Sequence, residues 1–159
     1  MPVELTGLES VIKNLNKQIK NITAGSMAGL IRANIIVRRS MEAESPKIPI
    51  DTGNLRASYF AITSTGMTPQ GASPSFKGEN AEKMSIQHSE VLSNAKGEIA
   101  SSRLPLLILG FTANYAWKVH ESVGTKFKRP GSGAKFLEAA LKRNHQKILK
   151  VIQESARIK

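Results

Sequence analysis

Leu5, Leu8, Ile12, Leu15, Ile19 and Ile22 recur at three- and four-residue steps near the start of the chain. That period gathers them on one side of a helix, so residues 6–21 are expected to be helical with this stripe in the core. Thr6, with Glu9 three positions on, has the form of a capping box at its start. Lys13, Lys17 and Lys20 fall on the opposite face. Thr23-Ala24-Gly25-Ser26 reads as a break or as a small-residue surface inside one long helix. The helical period resumes over residues 26–43, with Met27, Leu30, Ile31, Asn34, Ile35, Arg38 and Met41 on one face. Pro46 and Pro49 end it, because a helix interior tolerates neither.

After the prolines the pattern shortens. Asp51-Thr52-Gly53 suits a tight turn, since Asp bonds its own following backbone and Gly accepts positive φ. Leu55 to Thr63 then alternates well enough to be expected as a strand, with both faces partly covered. Leu104 to Phe111 is a short, continuous apolar run, expected to be a central strand. A short helix is expected over Tyr115 to Glu121, with Tyr115 packed inward and Trp117 off that face, free for an interface. Lys126, Lys128 and Arg129 form a basic loop before a last helix, which starts at Ser132 or Gly133 and runs to about Ser155. Its stripe is Leu137, Leu141, Asn144, Ile148 and Val151, broadened by Phe136, Ala140 and Ile152. Helices are thus expected at both ends of the chain, with strands between them.

Residues 65–103 break this rhythm. Ser, Thr, Gly, Pro, Asn and Lys dominate their first half, and large apolar residues are sparse until Met84-Ser85-Ile86 and Val91-Leu92. The segment is expected to be an extended loop or hairpin inserted in a single domain over 1–159, ordered against a neighbouring subunit.

Composition narrows the classes. A chain of 159 residues is long enough for one real core. No apolar run approaches the roughly 20 residues that span a bilayer, so no membrane partner is expected. The first residues lack a basic stretch followed by an apolar one, so no secretory signal is evident. The absence of cysteine excludes disulfides, thiolate metal sites and cysteine catalysis.

The net charge of +11 is concentrated late, with +4 over residues 102–130 and +5 over residues 131–159. A basic face attracts nucleic-acid phosphate or acidic protein surfaces, or is simply a solvated helix face. No aromatics interleave with the late lysines, which argues against a base-stacking platform.

No catalytic constellation stands out. His120-Glu121 lacks the second histidine of a zinc-protease motif, because position 124 is Gly124. His88, His120 and His145 lie in separate segments, so no metal site is expected. Gly131-Ser132-Gly133 is a linker before a helix rather than a nucleophile elbow or a phosphate cradle. No cofactor or small-molecule substrate is implied. Arg56 has three readings: a surface residue, a partner for Glu121, or a contact to an adjacent subunit.

Three blocks stand out by their order. They are Pro49-Ile50-Asp51-Thr52-Gly53-Asn54-Leu55-Arg56, Tyr115-Ala116-Trp117-Lys118-Val119-His120-Glu121 and Pro130-Gly131-Ser132-Gly133-Ala134-Lys135-Phe136-Leu137-Glu138. In this order and rough spacing the chain resembles the minor tail-component family of long-tailed bacteriophages, the neck or tail-completion proteins at the head–tail joint. The resemblance covers roughly residues 5–64 and 104–155. The family often has Gly-Thr soon after its Glu. Here Glu121 is followed by Ser122-Val123-Gly124-Thr125, a looser match.

The resemblance implies an α+β fold, an antiparallel sheet packed against the long N-terminal and the C-terminal helix. It implies a non-enzymatic virion protein, assembled in the bacterial host cytoplasm into a homo-hexameric ring. That ring would join head connector or stopper to tail tube as a tail-completion or tail-terminator protein, with genomic DNA passing through its lumen. In this reading Asp51, Thr52, Gly53, Tyr115, Glu121, Phe136 and Leu137 shape the fold, and Arg56, Trp117, Lys126, Lys128 and Arg129 are the interface candidates. The alternatives are a head-closure or minor capsid protein, or a basic nucleic-acid-binding module.

Overall fold

The computed structural model describes residues 7–68 and 74–157. Helix α1 is one continuous element, Leu8–Ala43. Its small-residue stretch is therefore a surface rather than a break, and Thr6 lies outside the described residues. The chain leaves α1 through Glu44, ahead of Pro46, as the prolines require.

The strand expected from Leu55 begins later. Asn54–Ala57 is a single helical turn, α2, and β1 is Tyr59–Thr63. Ser58 explains the delay: its hydroxyl bonds the Leu55 carbonyl at 2.8 Å, and its carbonyl accepts from the Thr112 N–H at 2.9 Å. The hydroxyl thus holds the turn closed where alternation alone reads as strand. Gly53 precedes the turn at φ 90°, the positive φ anticipated for Asp51-Thr52-Gly53.

Three antiparallel strands form the sheet, in the order β2-β1-β3, with β2 Gly66–Met67 and β3 Leu107–Phe111. Tyr59 pairs with Phe111 and Thr63 with Leu107. The central strand is therefore β1, buried throughout, and β3 is an edge strand, half-buried along its length. The apolar run of β3 arises because helices cover both its faces, not because strands flank it on both sides.

The largest departure lies in residues 65–103. The second half is not a loop or hairpin but a helix, α3, Ala81–Ser101. Its buried side chains are Met84, His88, Leu92, Ala95 and Ile99, at steps of four, four, three and four. A histidine and an alanine in the stripe hide its period from a scan for large apolar residues. Leu92, Ala95 and Ile99 pack on Phe60 and Ile62, with Leu106 and Ile108 beside them. The segment is part of the core.

The other face of the sheet carries Tyr59, Ala61, Leu109 and Phe111. It packs on Val37 and Met41 of α1 and on Phe136 and Ala140 of α5, Phe136–Ala156. Tyr59, Phe111, Phe136 and His120 form an edge-to-face chain of rings with centroids 5.0–5.5 Å apart. The sheet is thus sandwiched between α1 with α5 on one side and α3 on the other. The last helix starts at Phe136 rather than Ser132, because Ser132 bridges to Lys47 as a strand-like residue instead of joining the helix.

Helices α1 and α5 run antiparallel and nearly touch. A Cβ at Gly25 would lie 2.2 Å from the Ser155 carbonyl oxygen, and one at Gly29 would lie 2.7 Å from Ile152 Cα. Only glycine permits that approach. The crossing sits in the second half of α1, which overturns part of the expected core. Leu8, Ile12, Leu15 and Ile19 are exposed, and so is Leu141 of α5. Leu137 and Ile148 do pack against the core.

Candidate interaction site

The three blocks singled out in the sequence meet at the C-terminal end of α1. Lys47 donates its N–H to the Gly131 carbonyl at 2.8 Å, and its own carbonyl accepts from Gly133 at 3.3 Å. A Cβ at Gly133 would lie 3.0 Å from Pro46 Cβ, so the packing is tight there and favours glycine. Helix α4, Ala116–Glu121, is bound to the same joint. The Lys135 N–H donates to the His120 carbonyl at 2.7 Å, while the Lys135 side chain pairs with Glu121. Lys135 is the one described non-glycine residue at positive φ, 59°, which turns the chain from the extended stretch into α5.

The hydrogen bond from Lys135, with a second from His120, holds the Glu121 carboxyl below the usual carboxylate range. The same Lys135–Glu121 bond raises the lysine. Both groups sit at the surface, so the pair orders the joint more than it stabilises it.

Glu42 is the polar anchor of the joint. Its carboxylate takes Arg38 at 2.9 Å, Arg56 at 2.8 Å and Arg129 at 3.2 Å. Arg129 also donates to the Glu42 carbonyl at 2.8 Å and to the Ile48 carbonyl at 3.1 Å. Two interface candidates, Arg56 and Arg129, are therefore engaged inside the chain. Arg56 pairs with Glu42, not with Glu121. Arg38 stacks over the Tyr59 ring with its guanidinium carbon 4.6 Å from the centroid. Burial lowers the Arg38 pKa, against the attraction of Glu42. The sequence shows Glu42 only as the i,i+4 partner of Arg38, because its other partners come from elements 14 and 87 residues away.

Beside the joint opens a cleft of about 730 Å³. Leu55, Met84 and Val119 give it an apolar wall, and Lys77, Lys83, Lys126 and Lys128 outnumber Asp51 and Glu79 in its lining. Asn54 holds one side in place, exchanging 2.9 Å bonds with both backbone groups of Lys77. Lys128 pairs with Asp51 across exposed surface. Tyr115 is not packed inward as expected. It stands at the start of α4, lines the cleft and is 36% exposed. Burial and the nearby Asp51 raise its pKa. An apolar wall with a mainly cationic lining suits a chain segment that offers an apolar side chain beside carboxylates.

Trp117 is 71% exposed, as expected of a residue off the packed face of α4. His120 is bonded to Glu121, and His88 is buried against Thr112. Among the described residues no group of three or more His, Asp or Glu is placed to hold a metal ion. No described helix is long and apolar enough to cross a membrane. Comparison with family models, with curated proteins and with solved structures finds no match to this chain.

Proposed function

We propose that the protein is a non-enzymatic virion component of a tailed bacteriophage, a homo-hexameric ring at the head–tail junction that joins head connector to tail tube. The observation that supports this reading is the meeting of the three phage-like blocks in one joint. They are far apart in the sequence, yet Lys47 with Gly131 and Gly133, Glu42 with Arg56 and Arg129, and Glu121 with Lys135 bind their surroundings into one unit. Arg56, Glu121 and Lys135 belong to the three blocks, and Lys47, Glu42 and Arg129 lie beside them in the chain. In this reading the contacts to other subunits fall on what the joint leaves bare: Trp117, the Lys126 and Lys128 side of the cleft, and the β3 edge. A repeated head-to-tail contact closes into a ring when its rotation closes. The surplus positive charge meets acidic neighbours or the DNA in the lumen.

The test is location. A label on the C-terminus, imaged on intact particles of the phage that carries the gene, is expected at a ring between head and tail. Native mass spectrometry of the neck complex is expected to give a closed oligomer. Label on the capsid shell would favour the head-closure or minor capsid alternative, and label absent from particles would end the reading. The exposed Lys147 and Lys150 of α5 keep a nucleic-acid module as the second reading. Its mark would be tight duplex binding by the free protein that collapses as salt rises.

A further inference from the structure

Among the described residues, nothing covers the apolar stripe on the first half of α1. Leu8, Val11, Ile12, Leu15, Ile19 and Ile22 are 38–63% exposed. Continued at the same three- and four-residue steps, the stripe reaches Gly25 and Gly29, where α5 lies against it. Helix α5 ends at Ala156, beside Gly25. The same stripe is therefore covered by an antiparallel helix over its second half and bare over its first. Residues 8–24 run past the end of α5 for about 25 Å, at 1.5 Å per residue.

We infer that a second copy of this chain covers this overhang, and that the two overhangs pair antiparallel. Two features on α1 carry the inference. The steps of 8, 12, 15, 19 and 22 are a heptad seam over two repeats, with Leu8, Leu15 and Ile22 alternating with Ile12 and Ile19. A seam that narrow fits another helix rather than a broad surface. Lys13, Lys17 and Lys20 lie outside it, so like charges do not face each other across the pair.

The direction follows from charge and from α5. Antiparallel pairing puts the two bodies, each part of a chain of net charge +11, at opposite ends of the coil. It also brings the incoming helix onto the line that α5 leaves, with its positive N-terminal end toward the negative C-terminal end of α5. Leu8 then faces Ile19 of the other copy, and Ile12 faces Leu15. Six half-bare aliphatic side chains from each copy bring the covered total to on the order of 1,000 Å², the lower bound for a specific interface. A short helix with such a stripe is marginal alone in water, so pairing also steadies it. The inference goes beyond the neck reading and does not depend on it.

Sedimentation of the full chain across a concentration series tests the pairing. A monomer–dimer equilibrium is expected, unchanged or tightened by added salt, since salt screens the repulsion between the bodies. Leu15→Lys leaves helix propensity nearly untouched. It removes two seam leucines per dimer and is expected to weaken association by at least about 100-fold. Direction is read by oxidation of single-cysteine variants, as the chain has no cysteine of its own. Leu8→Cys mixed with Ile19→Cys is expected to cross-link, and Leu8→Cys alone is not. A monomer at every concentration, a dimer indifferent to Leu15→Lys, or self-cross-linking of Leu8→Cys would each overturn the inference. So would a monomer that binds anionic lipid vesicles through residues 8–22.

Discussion

The Tyr59 hydroxyl donates to Asn34 in the core, and the Arg38 guanidinium lies on its ring. Burial pushes this phenol up to about 12, against the opposing pull of Arg38. The native state therefore holds the phenolic proton more tightly than the unfolded chain, whose tyrosines ionise near 10. The sign follows: this contribution to stability is complete below about pH 10 and is lost as pH rises through about 12. An alkaline titration of tyrosinate absorbance is expected to show both tyrosines ionising late in the native protein and near pH 10 in denaturant. Tyr59→Phe should remove the later native step and leave that of Tyr115. A native titration in which both tyrosines ionise at the denatured value would show that Tyr59 is not buried. At this scale two signals are legible in the sequence, the asparagine in the apolar stripe of α1 and the glycine after Asp51-Thr52. The pairing of Glu42 with Arg56 and Arg129 is not.

Among the elements, α3 and α5 invert what apolar content suggests. Leu92 sits in a segment that reads as polar, yet it is 7% exposed against Phe60 and Ile62. Leu141 sits in the clearest stripe of the C-terminal helix, yet it is 42% exposed. Leu92→Ala is expected to cost about 2–5 kcal/mol, the range for a buried leucine. Leu141→Ala is expected to cost under about 1 kcal/mol, the range for a surface site. Chemical denaturation of both variants checks the order. Equal losses would mean that α3 contributes no more to the core than the exposed face of α5. Periodicity located α1 and α5 because long amphipathic helices repeat their signal many times. It missed α3 because a helix lying across one small sheet buries few side chains, and two of the five here are His88 and Ala95.

For the whole molecule, the two segments that look dispensable or essential in the sequence exchange roles. Deleting residues 68–98 removes most of α3 and bares Phe60 and Ile62, so the remaining chain is expected not to fold cooperatively. A chain starting at Thr23 loses only the overhang of α1. Its thermal unfolding is expected to match the full chain's monomer closely, because the large apolar side chains lost between Leu8 and Ile22 are exposed in the monomer. Circular dichroism melts of the two deletions decide between these roles. A cooperative melt from the 68–98 deletion would restore the reading of that segment as an insertion.

The sequence by itself determined the two long helices, the proline exit from α1, the turn at Asp51-Thr52-Gly53 and the α+β class. Each of these is set by neighbours within a few residues: a period, a ring that fixes φ, a glycine without Cβ. Which apolar stripe is covered was not legible. Leu8 to Ile22 and Met27 to Met41 share one helix and much the same pattern, and only the end of α5 at Ala156 separates the bare half from the buried half. Nor was the central strand, since an apolar run records covered faces and not the number of flanking strands. The convergence of Glu42, Arg56 and Arg129 was equally hidden, because three-dimensional proximity between distant charges leaves no local period to read.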